Sequence, residues 1–295
     1  MSFGLLTYDT SNLGDEVQSV AARRFLPRVD VLLQRDALPL APQGVGPVHA
    51  ILNGWYAQRP VQWPPHERIR PLLLSMHFSA RRARRRFWQP PPAAQLLSPA
   101  GRRWLVAHGP VGARDRATLA LLERHGVPAW YSGCLTLTLP HAAAARDDLV
   151  VACDLPPAHL AALQRRTSSP VQAVTHHDAT TVGHDPRMAR AQALLALYAR
   201  ARAVVTSRLH CALPCLALGT PVLFVRIDPD LQRQQPGLEL AHAASSADFL
   251  AGRVDFDPDR PPRNPQGWQP LAADLERRCK AFVAATSAAP APATA

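Results

Sequence analysis

The chain predicts an α/β protein built from two parallel-sheet domains, and three observations carry that expectation. Apolar runs of strand length alternate with helix-length segments along most of the sequence. The alternation breaks at Thr138 to Asp148 and then starts again. Hydrophobic residues make up 47% and charged residues 19% of 295, a globular balance in a chain long enough to bury a sizeable core. The reading is two Rossmann-like domains, residues 1–142 and 143–286, followed by a disordered low-complexity tail at 287–295.

In the first series, "FGLLTY" (Phe3 to Tyr8) reads as a strand and "GDEVQSVAARRFL" (Gly14 to Leu26) as a helix. Asp15 and Glu16 lie in that helix's first turn, where carboxylates favour the dipole. "VDVLL", "VHAILNG" and "PLLLSMH" read as buried strands, and "WLVAHG" (Trp104 to Gly109) as another. "RDRATLALLERHG" is a helix that Gly126 stops, and "PAWYSG" returns to the sheet. The second series runs "LVVACD" strand, "PPAHLAALQRR" helix, "VQAVTHH" strand and "DPRMARAQALLALYARA" helix. It continues with "AVVTS" strand, "LHCALPCLALG" helix and "PVLFVRI" strand. Beyond residue 226 the chain is proline-rich and reads as irregular until a late helix, Trp268 to Thr286, expected to pack back across both domains.

Open parallel sheets bind ligands beyond the carboxyl ends of their strands, so the strand-to-helix turns are where chemistry is sought. Arg208 and His210 interrupt the apolar stretch "VVTSRLHCALPCLALGTPVLFV" where a strand hands over to a helix. A helix start favours an anion, and a guanidinium adds a planar fork that fits phosphate or carboxylate. Two readings stand on position alone: an anion site, or an arginine that caps a neighbouring helix beside a hydrogen-bonded core histidine. The turn Tyr8 to Gln18 occupies an equivalent place with Asn12, Gly14 and Asp15. It is neither a Walker loop nor a GxGxxG turn, and an ordinary capped helix start explains it equally well. "HGPVGARDRAT" sets Arg114 at a third turn, where it serves a phosphate or pairs with Asp115.

"THHDATTVGHD" (Thr175 to Asp185) holds three histidines and two aspartates without HExxH or zinc-finger spacing. It reads as a cleft loop in which one histidine, His176 or His177, touches a ligand, and no metal is expected. Five scattered cysteines suit free thiols in a reducing compartment, with Cys211 and Cys215 packing on one helix face. The start "MSFGLLTYDT" lacks the basic residues of a secretory leader, and no apolar run reaches a membrane span. A cytoplasmic protein is therefore expected.

Net charge is +11, and Lys280 is the only lysine, so 33 − 1 leaves 32 arginines. With 30 prolines this resembles coding bias, and a solvated basic surface accounts for much of the charge. The local exception is "SARRARRRFWQPPP" (Ser79 to Pro92), which suits an anionic acceptor or a membrane-peripheral contact. No nucleic-acid module accompanies it, so no specific nucleic-acid partner is expected.

Four stretches, in order, resemble the polysaccharide pyruvyl transferase family. They are "TSNLGDEVQ", "ILNGW" with "PLLLSMHFS", "GPVGARDRATLALLERHGVPAWYSGCLTLTL" and "SRLHCALPCLALGTPV". The resemblance implies a glycosyltransferase-B-like arrangement of the two domains with a central cleft. It implies transfer of the enolpyruvyl unit of phosphoenolpyruvate to a sugar diol of a glycan or lipid-linked saccharide, giving a pyruvate ketal and phosphate. It makes His210 the general acid, places Arg208, Leu209 and Arg114 on the donor, and sets Asn12, Gly14, Asp15 and His176 along the cleft. Phosphoenolpyruvate is then a substrate, and no cofactor is implied. Two other functions stay open at this stage: a nucleotide-sugar glycosyltransferase of the same architecture, and a non-catalytic protein that binds anions or nucleic acid.

Overall fold

A computed structural model describes residues 1–42, 46–56, 63–79, 92–142, 145–228 and 230–288. The basic run Arg81 to Arg86 and residues 289–295 of the expected tail fall outside the described residues, while Ser287 and Ala288, expected to open that tail, end the last helix instead. The chain divides into two compact units, each discontinuous in sequence. The first comprises Met1–Asp9, Ala21–Leu135 and Ala273–Ala295, and the second Thr10–Val20 and Thr136–Ala272. Among the described residues no helix is long and apolar enough to cross a membrane.

The first unit holds a six-stranded sheet. Its strands are β1 (Ser2–Thr7), β2 (Val31–Gln34), β3 (Val48–Tyr56), β4 (Ile69–Phe78), β5 (Val111–Ala113) and β6 (Ala129–Tyr131). They lie in the order β2-β1-β3-β4-β5-β6, every pair parallel. Parallel strands need covered faces, and this sheet's core includes Leu6, Leu52, Leu73, Met76 and Leu122. Helix α1 (Gly14–Arg23) follows β1, and α2 (Pro92–Leu96), α3 (Pro99–His108) and α4 (Arg116–Arg124) follow β4 and β5.

One expected strand is a helix. Trp104 to His108 lies in α3, which begins at Pro99 with the Ser98 hydroxyl accepting from the Gly101 N–H at 3.2 Å. Its buried face is Gly101 and Leu105, one helical turn apart, so "WLVAH" is the amphipathic end of a helix and not a strand.

The second unit holds five parallel strands: β7 (Val150–Cys153), β8 (Val171–Val174), β9 (Ala203–Thr206), β10 (Val222–Arg226) and β11 (His242–Ser245). Between them lie α5 (Pro157–Gln164), α6 (His184–Arg200), α7 (Leu209–Leu218) and α8 (Leu231–Leu240). The order is β11-β10-β9-β7-β8. Strands β7 and β9 are buried at every residue and β10 at all but its last, whereas the edges β8 and β11 are partly exposed. The continuous apolar runs are thus the strands walled on both faces.

The stretch read as irregular beyond residue 226 contains α8, β11 and the short α9 (Ser246–Leu250). Asp230 starts α8 by accepting from the Arg233 N–H, and Pro236 sits inside it. Pro258, Pro261, Pro262 and Pro265 fall in Arg253–Trp268, where no helix or strand forms among the described residues. The late helix is α10 (Gln269–Ala288), and from Ala273 onward it belongs to the first unit. There Phe282 meets the His49 ring, and Arg278 lies 4.0 Å over Trp130.

Candidate active site

Strand order locates a crevice. The chain leaves β7 for β8 on one side, then crosses back through α6 to β9, β10 and β11 on the other. The carboxyl ends of β7 and β9 therefore diverge at the switch point, where open α/β sheets hold ligands. Asp154 follows β7, and Ser207 and Arg208 follow β9. A pocket of about 370 Å³ opens there, lined by Asp154, Leu155, Pro156, Ser207, Arg208, Ile227, Asp228 and Arg233.

Asp154 organises this floor. It is a non-glycine residue at φ 51°, a left-handed conformation that is uncommon outside Asn and Asp. Its Oδ2 accepts from Arg208 Nε at 2.8 Å and from the His176 N–H at 3.0 Å, and its Oδ1 from the Thr175 hydroxyl at 2.6 Å. Burial alone would raise this carboxyl, but those donors and the Arg208 charge outweigh it and hold it below the ordinary range. Arg208 is thus a cation fixed in place, with about a third of its side chain exposed.

Arg208 stands at the N-cap of α7 without capping it by a side chain, while its own N–H donates to the Thr206 hydroxyl. Leu209, the first helical residue, is buried. A helix start without a side-chain cap beside a guanidinium suits a phosphate-sized anion.

His210 meets a different neighbour. A methyl at Gly14 would stand 3.0 Å from its Nδ1, 3.2 Å from its Cβ and 3.1 Å from Oδ1 of Asn12. The imidazole approaches the turn so closely that a side chain at Gly14 would crowd it by a few tenths of an ångström. Asn12 Oδ1 accepts from the Gly14 N–H, and Asp15 accepts from the Thr10 hydroxyl at 2.8 Å, so both side chains shape the turn. Backbone bonds from Leu13 to His176 and from Asp178 to Ser11 fasten the turn to the loop after β8. The half-buried His210 thus packs against the Asn12–Gly14 turn, two residues on from Arg208 at the pocket.

His176 turns inward. It is 1% exposed, and its Nε2 lies 2.9 Å from the Tyr198 hydroxyl, which also contacts Cys153 Sγ at 3.3 Å. Donor atoms of Cys153, His176 and Cys211 lie within 4.8 Å of one another, a set that by type could hold a thiophilic metal. Tyr198 closes this cluster by hydrogen bonding, and burial pushes both thiols well up, into the neutral form a core accepts. Asp178 in the same loop is engaged locally, accepting from the Thr180 and Thr181 N–H groups and the Thr181 hydroxyl.

Arg114 belongs to the first unit, directly after β5, 1% exposed, with its N–H on the Met76 carbonyl. Next to it in sequence, Asp115 caps α4 and pairs with buried His77 at 2.5 Å. Burial opposes the Asp115 charge, but His77, Arg114 and the Thr118 N–H prevail and keep the carboxyl below its ordinary range. The Gly-x-Arg-Asp stretch therefore builds a helix start around a histidine–aspartate pair.

Asp154, Asp228 and Arg233 were not singled out in the sequence. Asp154 carried a signal, because it follows an apolar strand directly, as Arg208 nearly does. Arg233 carried none, since α8 itself was not expected.

Residues 95–229 match the polysaccharide pyruvyl transferase family. The pyruvyl transferase match takes in Arg114, His176, Arg208, Leu209 and His210, and it begins after the Asn12–Asp15 turn. No curated protein matches the chain. Three solved structures are similar in fold. A functionally uncharacterised Klebsiella pneumoniae protein has 11% identity and a TM-score of 0.45, over 79% of this chain and 86% of its own. The Methanocaldococcus jannaschii UDP-GlcNAc 2-epimerase has 7% and 0.43, over 94% and 99%. The wall teichoic acid polymerase TagF has 9% and 0.42, over 95% and 82%. Likenesses this remote say nothing about substrate.

Proposed function

We propose that the protein transfers the enolpyruvyl unit of phosphoenolpyruvate to two hydroxyls of a saccharide, forming a pyruvate ketal and releasing phosphate. The coarser part of this reading, a transferase that modifies polysaccharide, is what the family match supports. The observation that carries the finer part is the start of α7. There a fixed arginine, an uncapped helix and a histidine stand within three consecutive residues at a sheet switch point.

The chemistry follows from those parts. Arg208 and the N-terminus of α7 hold the donor's phosphate. His210, as imidazolium, gives its proton to the donor's methylene carbon, making a methyl group. The adjacent carbon becomes oxocarbenium-like and is attacked by one sugar hydroxyl, whose proton returns to His210. Cleavage of the carbon–oxygen bond to phosphate regenerates an oxocarbenium centre, which the second hydroxyl captures to close the ketal, its proton leaving on the released phosphate. A positioned acid contributes about 10²–10⁴-fold to such a step.

Incubation with phosphoenolpyruvate and candidate glycans, followed by phosphorus NMR and product mass, tests the reading. Release of phosphate together with a ketal-sized mass gain is expected. His210→Gln should lower kcat by roughly 10²–10⁴-fold and change donor affinity far less. Turnover near wild type in that variant would remove His210 from the acid role. Nucleoside diphosphate release from a nucleotide sugar, with no use of phosphoenolpyruvate, would replace the proposal with a glycosyltransferase.

A further inference from the structure

We infer that Cys153, Cys211 and His176 bind a thiophilic divalent cation of the zinc(II) class. The three converge from separate elements of the second unit: Cys153 ends β7, His176 follows β8, and Cys211 lies in the first turn of α7. Both Sγ atoms and a ring nitrogen of the histidine lie within 4.8 Å of one another, and the three residues are at most 1% exposed. Tetrahedral zinc holds such ligands about 3.3–3.8 Å apart, so the set must tighten by roughly 1 Å, which rotation about the cysteine Cα–Cβ bonds can supply.

The hydrogen bonds single out the histidine. The Tyr198 hydroxyl donates its only proton to Cys153 Sγ at 3.3 Å, so it must accept from His176 Nε2 at 2.9 Å. The neutral ring therefore carries its proton on Nε2 and a lone pair on Nδ1. That Nδ1 is buried and has no hydrogen-bond partner. A buried lone pair without a donor destabilises the fold, and a metal ion removes that penalty. The Nε2–H bond to Tyr198 is the kind of outer support that fixes a metal-binding imidazole in one tautomer.

Charge selects the ion. In the metal-free chain both thiols keep their protons, as a core requires. Binding exchanges them: the cation enters, both thiol protons leave, and two thiolates with a neutral imidazole make a zinc(II) site neutral overall. A monovalent ion would leave a net negative charge in the core, and magnesium or calcium would want oxygen ligands. Entry is through the pocket floor, since Asp154 lines the pocket and accepts from Cys153 Sγ at 3.9 Å. The bound ion would tie the end of β7 to the start of α7, the turn that carries Arg208 and His210.

The untagged full chain, produced with zinc in the medium and purified in a non-chelating reductant, should retain about one zinc per chain by atomic emission. Cys153→Ser, Cys211→Ser and His176→Leu should each retain below about a tenth of that. Cys279→Ser, which removes a buried thiol of the first unit, should retain all of it. Thermal melts confirm folding of each variant, and a chelator should lower the Tm of wild type but not that of Cys153→Ser. Cobalt(II) added to chelator-stripped wild type gives a test that needs no variant to fold: an intense thiolate-to-metal charge-transfer band is expected. Absence of that band, or a wild type that cannot be loaded with zinc, overturns the inference. So does zinc that survives the three substitutions or falls equally in Cys279→Ser. The donor reading invokes none of these three side chains and stands or falls separately.

Discussion

Replacing Arg187 with methionine should expose how the N-terminal turn is held in the second unit. Arg187 donates to Glu16 through Nε at 2.6 Å and Nη2 at 3.0 Å, and to the Asp178 carbonyl through Nη1 at 3.0 Å. Both side chains are more than nine-tenths buried. Removing one partner of such a pair leaves an uncompensated buried charge, at a cost of about 3–5 kcal/mol. For a folding unit of this size that is a fall in Tm of roughly 6–20 °C. Acid should relieve it. Burial already pushes Glu16 above its ordinary 4.5 despite Arg187, and without the arginine the rise must grow. A carboxyl raised on folding contributes stability that is present at low pH and lost as pH climbs through its folded value. The gap between wild type and Arg187→Met should thus be widest above neutrality and close as pH falls toward the ordinary glutamate range. Glu16→Leu combined with Arg187→Met should be far less destabilised than Arg187→Met alone, because no bare charge remains. Denaturant unfolding across pH measures all of this. A loss below about 1 kcal/mol, or a gap indifferent to pH, would refute the reasoning.

Gly14→Ala should change stability little, since alanine favours a helix start by up to about 1 kcal/mol over glycine while the crowding costs about the same. Its methyl would displace His210 by a few tenths of an ångström, so kcat should fall several-fold at unchanged Tm, read by phosphate release and a melt. Gly219→Ala should destabilise by roughly 1–3 kcal/mol in denaturant unfolding, because φ is 79° and the new methyl would lie 2.4 Å from Nε2 of His141. His141→Ala should restore only the steric share. Asp115→Asn should flatten the acid limb of the stability curve. The native carboxyl is held below 3.8, so its contribution is present above that value and lost as pH falls. An acid limb identical to wild type would show that the His77 pair contributes no pH-dependent stability.

Central strands were the most legible part of the fold. "VVAC", "AVVT" and "VLFV" are apolar without interruption because both faces of β7, β9 and β10 are covered. Legibility failed where a local start signal outweighed composition. Ser98 and Pro99 turn "WLVAH" into the end of a helix, and the Asp230 cap opens α8 in a proline-rich stretch. At the site, Arg208 and His210 stood out because polar residues in an apolar run at a strand end have few other reasons to be there. The inward turn of His176 could not be read, since its partner Tyr198 lies 22 positions away on α6. The pairing of Glu16 with Arg187 spans 171 positions and left no local trace.

That pairing bears on how the chain can be divided. The polypeptide passes between the two units four times, at Asp9/Thr10, Val20/Ala21, Leu135/Thr136 and Ala272/Ala273. A ribosome emitting this protein therefore releases the first unit's strands long before Leu275 and Cys279, buried residues of the helix that completes it. Thr10–Val20 must likewise wait unpartnered through more than a hundred residues of synthesis. Neither half is a closed folding problem. A fragment starting at Thr136 would carry Arg187 with no Glu16, and a synthetic peptide spanning residues 10–20 is the piece that would complement it.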